Sequence, residues 1–276
     1  MNWAGLDDLI KMALGEDIGH GDVTTGSLVS PDLQASGVFL AKMKGVLAGI
    51  EVSQAVFAQL DPEVSFMIHK KDGELIKPGD ILARVEGSAA TLLTGERLAL
   101  NFVQRLSGIA TKTRQYVDLI GDHPVRLVDT RKTTPGLRVL EKYAVTVGGG
   151  YNHRFGLYDG VMIKDNHIAV AGGITAAVYQ VRAKVPHTLK IEVEVDTLEQ
   201  LQEALVVGAD IILLDNMDIT TLKKAVKITR GRALLEASGG INEKTIAAVA
   251  KTGVDLISSG ALTHSAVSLD ISFDIE

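Results

Sequence analysis

Arg131, Lys132 and Lys164 stand where fixed cations are unusual, at the ends of short apolar segments (125–130 and 160–165) that read as sheet strands. Residues 126–164 hold seven Lys and Arg against three acids. That segment is +4 in a chain of net charge −6, which leaves −10 on the remainder. A local basic cluster in an acidic chain points to a small anionic ligand, and the overall charge argues against general nucleic-acid binding. A solvated helix face accounts for Arg138 and Lys142, spaced i, i+4 after Pro135, but not for Arg131, Lys132 and Lys164.

Opposite charge follows two segments later. In KIEVEV (190–195) the period-two alternation puts Lys190, Glu192 and Glu194 on one face and Ile191, Val193 and Val195 on the other. Two inward carboxylates repel unless a cation intervenes. Lys190 is expected to offset Glu192. Glu194 can join Asp215 of the next segment around hydrated Mg²⁺; a closed salt-bridge network is the alternative. Two further segments end in Ser238-Gly239-Gly240 and Ser259-Gly260-Ala261, glycine turns ahead of helices that suit a phosphate. The loop GGGYNHRFGLYDG (148–160) adds His153 and Arg154, and its glycines allow close backbone approach or a mobile lid. Lys164 is either an anion ligand or a Schiff-base amine.

These residues need a scaffold that brings strand ends together. Six apolar segments, 125–130, 160–165, 190–195, 209–215, 232–238 and 254–260, alternate with helical stretches, the last four starting about 20 residues apart. That pattern makes a parallel sheet with right-handed crossovers. With no GxGxxG after the first strand, a β/α barrel smaller than the eight-stranded form is favoured, with ligands at the C-terminal strand ends. Residues 1 to about 107 read as a separate α/β domain of the open-sandwich kind. It has a helix near 3–14, a turn-rich GEDIGHGDVTTG, strands near 36–42, 46–48, 64–69 and 81–85, and a helix near 50–60. A helical run over 92–120 leads to the barrel. Cysteine is absent, which excludes disulfides and thiolate metal sites. The acidic, amphipathic start is unlike a signal peptide and no long apolar run exists, so a cytoplasmic protein without a membrane span is expected.

The blocks EDIGHGDVTT, GERLALNFVQRLSGIAT, DTRKTTPGLRVLEKYAV, GGGYNHRFGLYDGVMIKDNH, EVEVD, LLDN, EASGGI and SSGALTHS occur in that order over nearly the whole chain. Together they resemble the quinolinate phosphoribosyltransferase family. The resemblance implies an α/β fold with an N-terminal open sandwich (1–107, with the linker helix), an incomplete six- or seven-stranded β/α barrel (108–267), and a tail (268–276) returning to the first domain. It implies transfer of a phosphoribosyl group from phosphoribosyl pyrophosphate to quinolinate, with loss of pyrophosphate and CO₂, in NAD biosynthesis. Mg²⁺ is the implied cofactor. A homodimer or hexamer is the implied assembly, with Arg105 reaching the partner's site.

By the same resemblance, Arg105, Arg131, Arg154 and Lys164 hold the dicarboxylate with His153 and Thr130 nearby. Lys132 faces the pyrophosphate, Glu194 and Asp215 take the ribose hydroxyls and the metal, and Ser238, Gly239, Gly240, Ser259, Gly260 and Ala261 cradle the 5′-phosphate. Lys132, Lys164, Glu194 and Asp215 are the implied catalytic group. Three rivals remain at this stage. A nicotinate-type transferase needs fewer cations for its single carboxylate. A barrel aldolase would use Lys164 as a Schiff base. A non-catalytic anion-binding barrel would bind phosphate without turnover.

Overall fold

The structure is a computed structural model and describes residues 5–276. The chain divides into two compact units. One comprises residues 1–112, 146–148 and 266–276, the other 113–145 and 149–265.

The first unit contains α1 (Leu6–Ile18), α2 (Val23–Leu28), β1 (Gln34–Ala41), β2 (Gly45–Val46), α3 (Ile50–Leu60), β3 (Ser65–Ile68), β4 (Leu75–Ile76), β5 (Ile81–Ser88) and the start of α4 (Ala89–Ile120). The expected start of the first helix at residues 3 and 4 lies outside the described residues. Its end does not fall at 14: α1 runs through Gly15 to Ile18 and stops at Gly19, whose N–H caps Gly15 O. Much of the stretch read as turns is therefore helical. Asp22 opens α2 by accepting the Thr25 N–H at 2.9 Å, the side-chain cap that a short helix needs. The main sheet is antiparallel, in the order β12-β1-β5-β3, where β12 is the C-terminal Ile271–Ile275. Its core is aromatic: Phe39 is fully buried and stands 4.9 Å from Phe273 and 6.2 Å from Phe57, ring centre to ring centre.

The second unit carries the remaining elements. These are β6 (Arg126–Val128), α5 (Arg138–Val147, residues 146 and 147 falling in the first unit), β7 (Val161–Ile163), α6 (Asp165–Ala171), α7 (Ile174–Arg182), β8 (Ile191–Val195) and α8 (Leu198–Val206). Then come β9 (Ile211–Asp215), α9 (Ile219–Thr229), β10 (Leu234–Ser238), α10 (Ile246–Ala250), β11 (Leu256–Ser258) and α11 (Ala261–His264). All six strands pair in parallel, in the order β6-β11-β10-β9-β8-β7. The first strand of the unit lies beside the last, so chain order runs round the sheet as in a barrel, interrupted between β6 and β7. That interruption is partly filled by a single parallel bridge from Tyr151 to Val128. Tyr151 N donates to Leu127 O at 2.8 Å, and Asp129 N to Tyr151 O at 3.1 Å. The expected incomplete barrel is present, with six strands and this one-residue surrogate.

Alternation along β8 is as the pattern demands: Ile191, Val193 and Val195 are buried in the hydrophobic layer, while Glu192 and Glu194 point to the inner face. The helices behind the last two glycine turns are shorter than expected, with five residues in α10 and four in α11, so they contribute little dipole. Among the described residues no helix is long and apolar enough to cross a membrane.

Candidate active site

A cavity of about 670 Å³ opens at the C-terminal ends of the parallel strands. Each strand delivers residues to it. Thr130, Arg131 and Lys132 follow β6; Met162 and Lys164 come from β7; Glu194 from β8; Leu213, Asp215 and Asn216 from β9. Glu236 and the turn Ser238-Gly239-Gly240 come from β10, Ser258 from β11, and His153 and Arg154 from the 149–160 loop. Cations and carboxylates separated by more than a hundred residues thus share one hollow.

Arg154 is half-buried, and burial, then the neighbouring Arg131 guanidinium, push its pKa down. Like charges held together in a partly dehydrated place are an invitation to an anion. Lys164 is paired with Glu194. Asp215 accepts the Asn216 Nδ2–H at 2.8 Å. Asn216 itself is left-handed (φ 52), and its N–H donates to Ser238 O at 3.0 Å. Gly239 (φ +87) lies so near that a Cβ there would fall 2.1 Å from Asn216 Oδ1, so this turn requires glycine twice over. Ser259, Gly260 and Ala261 do not line the cavity. Ser259 is buried, with its N–H on Val128 O, and Gly260 backs onto the Lys132 side chain. Arg105 belongs to the first unit, on α4, where Nη1 donates to Ala266 O at 3.0 Å.

Glu192 is not offset by Lys190, which is exposed ahead of β8. Its partner is His153, whose Nε2 stands 3.1 Å from Glu192 Oε2 and 3.4 Å from Glu236 Oε2. Burial disfavours charge on His153, but the two carboxylates override it and lift its pKa to about 10. Nδ1 accepts the Arg154 N–H at 2.8 Å, a bond that a second proton on the ring would break. The ligand atoms of His153, Glu192 and Glu236 lie within 4.8 Å of one another. Burial and the adjacent Glu236 charge raise the Glu192 pKa while His153 lowers it. This group forms the floor between the upper cavity and a second one of about 500 Å³ that reaches toward the strands' N-terminal ends at Arg126, Val161 and Lys190.

Two residues read as solvated or ignored prove central to the loop. Lys142 is not on a solvated helix face: it and Asp129 are fully buried and paired with each other. Burial raises the Asp129 pKa and lowers that of Lys142, and their mutual hydrogen bond opposes both shifts. Asp129 also accepts from Asn152 Nδ2 at 2.6 Å and His153 N at 2.8 Å. Within the loop, Asp159 accepts the Phe155 and Gly156 N–H groups at 2.7 and 2.9 Å, and Arg154 Nη1 reaches Gly160 O at 3.0 Å. The glycines serve close approach, since a Cβ on Gly150 would sit 2.9 Å from Thr113 and Val145 side-chain carbons. A charged residue in the strand end VRLVD, thirteen residues before a lysine on a helix with buried Leu140, Ala144 and Val145, was the available signal for the pair.

The models of the quinolinate phosphoribosyl transferase N-terminal and C-terminal domains match residues 22–107 and 109–274. A probable nicotinate-nucleotide pyrophosphorylase [carboxylating] of Bacillus subtilis is 49% identical over 275 residues, covering 100% of this chain and 95% of the relative. The chloroplastic nicotinate-nucleotide pyrophosphorylase [carboxylating] of Oryza sativa is 44% identical, covering 98% of this chain and 78% of its own length. The crystal structure of NadC from Streptococcus pyogenes superposes with a TM-score of 0.95 at 46% identity, over 100% of this chain and 97% of that one.

Proposed function

The chain belongs to the quinolinate phosphoribosyltransferase family, and from that premise we propose how its cavity carries out the family's reaction. The enzyme transfers the phosphoribosyl group of phosphoribosyl pyrophosphate to quinolinate with decarboxylation, a step of NAD biosynthesis. The observation that carries the assignment of parts is the convergence of Arg131, Arg154, Lys164, Glu194, Asp215 and the Ser238–Gly240 turn on one cavity.

Quinolinate is a pyridine with adjacent carboxylates. Arg131, Arg154 and Lys164 supply the cations it needs, and guanidinium groups can take a carboxylate in bidentate fashion. Arg105 is a further ligand, contributed by the partner subunit of a homodimer or larger assembly. His153 lies beside Arg154 with Nε2 toward Glu192, and it supports the quinolinate end of the cavity. Ser238, Gly239 and Gly240 receive the 5′-phosphate, with Ser259, Gly260 and Ala261 supporting that end. Lys132, beside Thr130, faces the pyrophosphate. As pyrophosphate departs, positive charge grows on the ribose ring, and Glu194 and Asp215 stabilise it. The pyridine nitrogen attacks the anomeric carbon and becomes a quaternary cation. It bears no proton, so no general base is required. The C2 carboxylate then leaves as CO₂, its electron pair stays on C2 beside the cationic nitrogen, and a proton from solvent replaces it.

Glu194 and Asp215 line the same cavity from neighbouring strands, oxygen donors of the kind that suits Mg²⁺ completed by water and phosphate oxygens. A bound Mg²⁺ would stabilise the leaving pyrophosphate.

Steady-state assay with phosphoribosyl pyrophosphate and either quinolinate or nicotinate, with and without Mg²⁺, tests this reading. Turnover of quinolinate with equimolar CO₂ release is expected. An enzyme active on nicotinate alone, or active without releasing CO₂, would overturn it.

A further inference from the structure

The geometry points to the buried Asp129–Lys142 pair as a positioning device that fixes the spacing of Arg131 and Arg154, and so the preference of the cavity for two adjacent carboxylates over one. The inference rests on quinolinate occupying that cavity. Asp129 lies just past β6, two residues before Arg131. Its carboxylate gathers Lys142 Nζ from α5, Asn152 Nδ2 and the His153 N–H. Lys142 Nζ also donates to His153 O at 2.9 Å, and Asn152 Nδ2 to Lys142 O at 2.9 Å. Both peptide ends of His153 are therefore tied to the pair, and Arg154 is the next residue.

Arg131 and Arg154 repel each other when the cavity is empty, so something must hold their backbones together before the ligand arrives. Neither Asp129 nor Lys142 lines the cavity, so neither touches substrate. A buried ion pair is also a poor source of stability, and a packed apolar pair could join α5 to β6 as well. An apolar pair could not bind the N–H and C=O of His153. The arrangement is explained by position, since small displacements of a binding group weaken a two-point grip more than a one-point grip.

Lys142→Met and Asn152→Ala test it, read out as KM for quinolinate, KM for phosphoribosyl pyrophosphate, kcat, and competition by benzene-1,2-dicarboxylate, an unreactive dicarboxylate probe. Lys142→Met is expected to raise KM for quinolinate and weaken the probe by roughly tenfold, while KM for phosphoribosyl pyrophosphate stays within about twofold. Asn152→Ala keeps the ion pair and should give the same split, smaller; it decides the matter should Lys142→Met fail to fold. If both KM values rise together, or if thermal stability falls with both unchanged, the pair is merely structural and the inference is overturned. Wild-type enzyme that neither turns over quinolinate nor binds the probe would instead refute the assignment of the ligand.

Discussion

Glu194 has two roles that pull in different directions. In the structure it neutralises Lys164; in the proposed reading the substrates separate the two, Lys164 going to a carboxylate of quinolinate and Glu194 to the ribose. The side-chain pair is partly open to solvent, so the contact itself contributes little to stability. Glu194→Gln removes the charge that meets the developing ribose cation and leaves Lys164 free for quinolinate. Turnover is expected to fall by about 100-fold or more, as for loss of one preorganised electrostatic group, while KM for quinolinate stays level or drops. Steady-state kinetics with each substrate varied in turn provides the check; a large rise in KM for quinolinate with kcat intact would place Glu194 in binding alone. Many of the residues that line the cavity stood out because they follow or end apolar strands: Arg131, Lys132, Lys164, Glu194 and Asp215. Lys142 was misread because i, i+4 spacing with Arg138 shows only that two residues share a helix face, not which face is covered. Glu192 was given the wrong partner because a strand's own sequence contains no information about a loop 39 residues earlier that folds over it.

At the level of elements, the six parallel strands were legible to within two residues at their ends, since fully buried parallel strands are nearly continuous apolar runs, whereas β4 and β12 were not read as strands. Helix ends were less so. Gly15 reads as a stop but lies within α1, and the two-residue strands β2 and β4 are defined only by their pairing with each other. Where a cap is explicit, its effect is testable. Asp218 precedes α9 and accepts the Thr221 N–H at 2.8 Å, and that backbone bond holds its pKa below the usual carboxylate value. A depressed carboxylate pKa adds stability above its unfolded value of 3.8, and that stability is lost as pH falls through the lower folded pKa. Asp218→Ala should therefore lower the melting temperature at neutral pH, and the difference from wild type should shrink below about pH 4. Calorimetry across that range decides it; a gap independent of pH would mean the cap acts through its shape and not its charge.

For the molecule as a whole, the question is whether one chain suffices. Arg105 is the one expected quinolinate ligand outside the barrel unit: its helix α4 begins in the first unit, and there it bonds Ala266 O. Sequence order alone could not place it, because a linker cation carries no mark of whose cavity it serves. If Arg105 completes the site of the partner, two defective chains can repair each other. Arg105→Ala lacks the donated cation but keeps its own cavity; Glu194→Gln lacks the cavity acid but keeps the donated cation. In a two-fold assembly of the two variants, one of the two sites receives both defects and the other receives none. One of the two sites of every mixed dimer is intact, so the purified mixed species should regain roughly half of wild-type activity. Were Arg105 to serve its own chain, every site would retain one defect and mixing would restore nothing. Co-expression of differently tagged variants, tandem purification of the mixed species and assay with quinolinate separates the two results, and sedimentation of the same sample gives the number of chains per assembly.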